Sequence, residues 1–209
     1  MNKSLQMVSW FTGVILGLVV LLFGGLNLTQ NRKAVLGYPQ YTTFWLDSAV
    51  KYIESEQSAG TKQYPYLINT PEQLAYIAKA VNGGTVDNDG NVQYLDFSGI
   101  FFQLNADIDL SGSNWVPIGN EAHPFKGVFY GNGKKISNMV IDSTMMNATA
   151  GGVVVNDFRQ SLGLFGYVGY NGSAGETAST INQLVIENAY INACEYAQYA
   201  GTVAGVFEG

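Results

Sequence analysis

The hydrophobic positions of this 209-residue chain fall into three regimes. Residues 8–28 (VSWFTGVILGLVVLLFGGLNL) are almost continuously apolar, and no charged residue interrupts the chain from Ser4 to Gln30. As a helix rising about 1.5 Å per residue, this run would span roughly 30 Å, the thickness of a bilayer's hydrocarbon core. Further on, Leu74, Ile77, Ala78 and Val81 recur at helical spacing and predict an amphipathic helix over 70–82. Thr70-Pro71-Glu72-Gln73 supplies its start: a capping hydroxyl, proline at the first helical position, an acid in the first turn and Gln at N3. Gly83-Gly84 supplies its end. From Gly99 onward the period drops to two. Phe102, Leu104, Ala106, Ile108 and Leu110 alternate with Gln103, Asn105, Asp107 and Asp109, the pattern of a strand with one buried face. Short strands follow, separated by turns such as Gly131-Asn132-Gly133.

These regimes divide the chain into an N-terminal transmembrane or signal-anchor segment (1–30), a juxtamembrane linker (31–64) and a β domain (65–209). Trp45, Ala49, Tyr52 and Ile53 share a helical spacing that suggests a short helix within 43–56 of the linker. Trp10 and Phe11 sit where an interfacial aromatic belt would lie. An uncleaved signal anchor is the favoured reading of the apolar run, because a secretory signal peptide has a shorter one and a small-x-small cleavage site. Cleavage and a pilin-like filament subunit are the alternatives. Gly13, Gly17, Gly24 and Gly25 would permit the close helix packing a filament needs. Lys3 on one side and Arg32 and Lys33 on the other leave orientation undecided by charge.

Composition supports a β domain. Only 12% of residues are charged, against a usual ~25%, and there are 25 glycines, 13 tyrosines and 11 phenylalanines. Such a mixture favours short strands and tight turns over exposed helices. The net charge of −6 and the lack of a basic cluster argue against nucleic acid as a partner. With one cysteine, Cys194, and one histidine, His123, neither an intrachain disulfide nor a Cys/His zinc site is available. Internal repeats are visible. Residues 136–142 match 181–187 at an offset of 45, and the glycine-bounded segments starting at Gly127, Gly163 and Gly201 recur 36 and then 38 residues apart. Such periods predict stacked units, and a stack ending on an uncapped layer predicts that the sequence continues beyond 209.

The run from Phe102 to Gly112, then Asn114-Trp115-Val116-Pro117-Ile118-Gly119, then Pro124 to Gly133 with Gly127 and Gly131, then Ile136 to Ile141, resembles bacterial cell-surface proteins carrying the GLUG motif. Gly163-Leu164-Phe165-Gly166 matches that motif itself. The resemblance covers roughly residues 64–209 and implies a mainly β fold: a right-handed parallel β-helix, or solenoid, with a capping α-helix. The N-terminal transmembrane helix would precede it. The resemblance also implies an exported, adhesin-like surface protein. Some such regions flank IgA1-specific metallopeptidases, but no His-Glu-x-x-His motif is present here, so peptidase activity does not carry over.

Candidate chemistry is sparse. Asp107 and Asp109 share a polar strand face and are weak candidates for Ca²⁺; an EF-hand is excluded because its twelfth position is Ile118. Trp115 and Phe125 fit core packing better than carbohydrate platforms, His123 lacks a nucleophile nearby, and Cys194 reads as a small buried residue. No catalytic residue and no cofactor is expected. The expected function is non-catalytic: display at the extracellular face of the cell membrane, anchored through residues 8–28, with adhesion to glycans or to host proteins. The alternatives are an accessory or catalytic part of a surface polysaccharide-acting or peptidase enzyme, and the filament subunit.

Overall fold

The helix expected after Thr70 forms over Pro71–Asn82 in a computed structural model of the chain. The structure describes residues 39, 41–52, 59–86, 89–145, 149–150, 153–154, 159–170, 172 and 178–208. Thr70 is extended, and its Oγ1 accepts a hydrogen bond from the Gln73 N–H at 3.3 Å. The reciprocal bond of the capping box shifts by one residue: the Gln73 side chain accepts from the Asn69 N–H at 2.8 Å. The predicted stripe of Leu74, Ile77, Ala78 and Val81 is buried, and Ala75 and Ala80 widen it. The helix packs on a 3₁₀ turn, Trp45–Ser48, the one helical turn formed where a short helix was expected; residues 53–56 lie outside the described residues.

The chain divides into two compact units, Met1–Gln40 and Tyr41–Gly209. Only Pro39 of the first is among the described residues, so the expected membrane-spanning segment 8–28 lies outside them. Among the described residues, no helix is long and apolar enough to cross a membrane. In the second unit, Phe44, Leu46 and Tyr52 join the main hydrophobic core, so this part of the expected linker is packed into the domain.

The alternation over 101–110 is realised in part, and in two strands rather than one: Ala106 is only half-buried, and Phe101 is buried against the pattern. Phe101–Leu104 and Ile108–Asp109 lie in different sheets, and Phe102, Leu104, Ile108 and Leu110 are buried across the break. The first belongs to a four-stranded parallel sheet ordered Tyr66–Ile68, Phe101–Leu104, Val128–Tyr130, Thr180–Asn182. The second is an edge of a three-stranded parallel sheet with Lys135–Ser137 and Val185–Glu187. Val140–Asp142 pairs with Tyr190–Asn192, Ser161–Leu162 with Tyr199–Ala200, and Phe165–Val168 with Ala204–Phe207, all parallel. Two small antiparallel pairs, at 85–86 with 92–93 and at 149–150 with 153–154, complete the described sheets.

This arrangement corrects the expected fold class. The molecule is mainly β, but it consists of several small sheets, most of them parallel, rather than a right-handed β-helix; the transmembrane helix expected before it lies outside the described residues. The repeat periods read from the sequence predict a regular stacking interval. Here the steps between paired residues of the largest sheet, from 66 to 102, to 129, to 181, are 36, 27 and 52 residues. The 45-residue repeat is likewise not the stacking interval: Ile136 pairs with Ile186, and Ile181 pairs with Phe129. The 38-residue recurrence does coincide with a register, because Ser161 pairs with Tyr199.

Turn chemistry explains how such short strands connect. Asn132 and Gly133 both have positive φ (53° and 68°), and the Lys134 N–H closes the turn on the Gly131 carbonyl at 2.9 Å. Asn138 and Asn188 also sit at positive φ, where asparagine is better tolerated than most residues. Their side chains stack in line with Asp109: Asn138 Nδ2 donates to Asp109 Oδ1 at 2.9 Å, and Asn188 Nδ2 to Asn138 Oδ1 at 3.5 Å.

Candidate functional site

The residues singled out by sequence are mostly structural. Trp115 is wholly buried, and its indole N–H donates to the Leu164 carbonyl at 3.0 Å. Leu164 and Phe165 are core residues as well, and Phe125 packs on Phe165 with ring centroids 5.1 Å apart. Gly163 and Gly166 are places of backbone contact. A side-chain carbon on Gly163 would lie 2.8 Å from the Phe165 carbonyl oxygen, and one on Gly166 would lie 3.0 Å from that of Ser161. Gly127 and Gly131 are equally confined, whereas Gly133 has open space and serves its turn through positive φ.

Asp107 and Asp109 are exposed but occupied. Asp107 Oδ1 accepts from the Lys135 N–H at 3.1 Å. Asp109 accepts from Asn138 and from the Ser111 N–H, and these two bonds hold its carboxyl below the usual carboxylate range. Glu187 lies nearby but pairs with the Lys135 ammonium at 3.2 Å. Asp109 to Ser111 is a local turn bond and the others tie neighbouring segments, and no group of three or more His, Cys, Asp and Glu among the described residues is placed to hold a metal. His123 stacks on Tyr94 at 3.8 Å. Cys194 is only partly buried, contrary to its expected burial, and its N–H donates to Ser143 Oγ at 2.6 Å.

The structure instead assembles a site from residues that sequence reasoning passed over. Phe165–Val168 is flanked on one side by Ala204–Phe207 and on the other by bridges to Ile118 and Phe125. Both ends of the intervening loop are thereby pinned beside Tyr167. Inside the loop, Asn120 Oδ1 accepts from the His123 N–H at 2.7 Å, and the Asn120 N–H donates to the His123 carbonyl at 3.1 Å. The loop's entry is held from the helix: Asn82 Nδ2 donates to the Pro117 carbonyl and Asn82 Oδ1 accepts from the Gly119 N–H, both at 2.8 Å. Alongside runs the Ser161–Leu162 pair with Tyr199–Ala200, extended by Gln198 and Tyr199 N–H bonds to the Gln160 carbonyl at 2.9 Å.

Between these elements lies an open cleft of about 670 Å³, within the ~300–1,000 Å³ typical of small-molecule sites. Tyr167 and Tyr199 supply its aromatic surface, and Gln160, Gln198, Glu121 and Glu208 its exposed polar groups. Two further lining residues, Asn120 and Ser161, are each only 8% exposed. Asn120 Nδ2 and Ser161 Oγ have no hydrogen-bond partner among the described residues. Polar atoms held in place and open to the cleft are what a ligand rich in hydroxyls would engage.

The Tyr167 hydroxyl donates to Glu208 Oε1 at 2.5 Å. That bond first, then burial, then the charges of Glu208 and Glu121, push the phenol up to about 12. The folded value lies above the usual 10, so this stabilisation is present below pH 10 and is lost as pH rises from 10 to 12. Glu208→Gln is expected to return the phenol toward its ordinary range. Tyrosinate absorbance, compared with Tyr167→Phe, reads this directly; an unchanged high-pH transition in Glu208→Gln would show that Glu208 is not its cause.

The chain is similar to the "Putative Gly-rich membrane protein" of Evansella cellulosilytica, with 35% identity over 136 residues. The match covers 62% of this chain but 12% of that protein, so the chain spans only a small part of the relative's length. No protein-family model and no solved structure matches the chain. The likeness to GLUG-motif surface proteins therefore rests on the sequence motifs alone.

Proposed function

We propose that this is a membrane-associated, surface-displayed binding protein whose cleft takes saccharides. The carrying observation is the pair of nearly buried residues, Asn120 and Ser161, whose Nδ2 and Oγ stay free of protein partners among the described residues on a tyrosine-lined cleft. Sugar hydroxyls both donate and accept hydrogen bonds, which suits the amide and carboxylate groups of Gln160, Gln198, Glu121 and Glu208. Tyr199, 53% exposed, offers a ring face with a polar tip for stacking. The apolar run at 8–28 supports membrane association, and the name of the relative agrees with it. Display at the extracellular face follows from the GLUG resemblance.

A glycan array probed with the full chain in detergent tests this reading. Binding to a defined set of oligosaccharides is expected, with Tyr199→Ala weakening it roughly three- to tenfold through the lost ring face. If no glycan is retained, or if Tyr199→Ala binds as well as the native chain, the cleft is not the site.

One observation favours a second reading. Glu121 and Glu208 line the same cleft, and a pair of carboxylates is the minimum apparatus of a glycoside hydrolase. Release of new reducing ends from a bound oligosaccharide, abolished by Glu121→Gln, would replace the binding role with catalysis.

A further inference from the structure

The charge of the cleft is one-sided. Glu121 and Glu208 line it, whereas no lysine, arginine or histidine among the described residues does. Nearby cations are engaged elsewhere: Arg159 lies over the Tyr196 ring at 4.6 Å, and Lys126 pairs with Asp96 at 3.3 Å. The Tyr167 hydroxyl occupies one oxygen of Glu208, but a carboxylate has about four acceptor sites and most remain open. Glu121 is exposed on the pinned loop. The raised Tyr167 phenol reports the same negative surroundings. The neutral donors Asn120 Nδ2 and Ser161 Oγ, fixed by burial, mark the cleft as a built site rather than a chance meeting of acids.

We propose that the saccharide held in this cleft carries protonated amines, a glucosamine-type oligomer rather than an N-acetylated or uronic acid one. The inference rests on the saccharide reading above and adds its charge class. An ammonium presents three donors to the acceptor-rich rim and is attracted by the ring face of Tyr199. Acetylation removes the charge. A uronic acid adds a carboxylate beside two others, and the net charge of −6 opposes its approach at longer range.

The test is calorimetric titration of the full chain with a glucosamine tetramer, its N-acetylated counterpart and a galacturonic acid tetramer. Low ionic strength and a pH that keeps the amines protonated are required. The glucosamine oligomer should bind about tenfold more tightly than the acetylated one, as expected for two partly exposed charge pairs, and the galacturonic oligomer should bind most weakly. Added salt should narrow the gap. Glu121→Gln with Glu208→Gln should bind the amine and acetylated oligomers alike. Glu121→Gln alone should halve the preference on a logarithmic scale; it removes no hydrogen bond among the described residues and so reports even if the double variant fails to fold. Equal or tighter binding of the acetylated oligomer, or a preference that survives Glu121→Gln undiminished, overturns the charge assignment and leaves the saccharide reading standing. Failure of all three oligomers to bind overturns both.

Discussion

Replacing Trp115 with alanine is expected to lower the unfolding free energy by about 3–5 kcal/mol, the usual range for emptying a fully buried aromatic site. The indole has no exposed surface and sits in the central cluster. Its N–H and the Ile118 N–H both reach the Leu164 carbonyl, each at 3.0 Å. Trp115 therefore ties the segment entering the cleft loop to the Gly163–Gly166 motif. Trp115→Phe should recover most of the loss, because Leu164 keeps its bond from Ile118 and only part of the volume goes. Urea unfolding of the three proteins measures this. A Trp115→Ala cost below about 1 kcal/mol, in the range of surface substitutions, would mean that the indole is not packed as described.

Asn82→Ala is expected to cost about 2–4 kcal/mol, since it strands two buried backbone groups, each worth about 1–3 kcal/mol when unsatisfied. Asn82 is 5% exposed, and its amide serves both the Pro117 carbonyl and the Gly119 N–H. Asn82→Asp should be no better. It retains the acceptor for Gly119 but loses the donor to Pro117, and it buries a charge. Because the clamp sits at the entrance to the loop carrying Asn120 and Glu121, oligosaccharide affinity should fall at temperatures where the variants remain folded. Thermal unfolding beside calorimetry separates the two effects. Native stability in Asn82→Ala would show that water replaces the amide and that the clamp is dispensable.

Asn82 did not announce its role in the sequence. Asn82 reads as the last polar residue of a helix just before its Gly83 stop, and only the tertiary fold brings it to residues 117–119, more than thirty positions away. The cleft is harder still to foresee, because its lining comes from the segments around 120, 160, 167, 198 and 208. One signal was available. The 38-residue recurrence of Gly163 and Gly201 marks the register that sets Ser161 beside Tyr199. The 45-residue repeat pointed elsewhere, because similar apolar strands resemble one another whether or not they pair. Trp115 is an intermediate case: its burial was foreseen, but not its bond to the Gly163–Gly166 motif.

What the sequence determined by itself is local. The Thr70 cap and the i, i+3, i+4 stripe place the helix at Pro71–Asn82, and the alternation after Gly99 selects Phe102, Leu104, Ile108 and Leu110 as inward-facing. Both depend on contacts within a few residues, so the pattern carries them. Partner choice between strands was decided only in three dimensions. Parallel strands join through connections of any sufficient length, and here those lengths run from 27 to 52 residues between partners in one sheet. An uneven spacing leaves no period to read, so the small sheets, the Asn82 clamp and the acidic, tyrosine-lined cleft emerge only when the chain is packed.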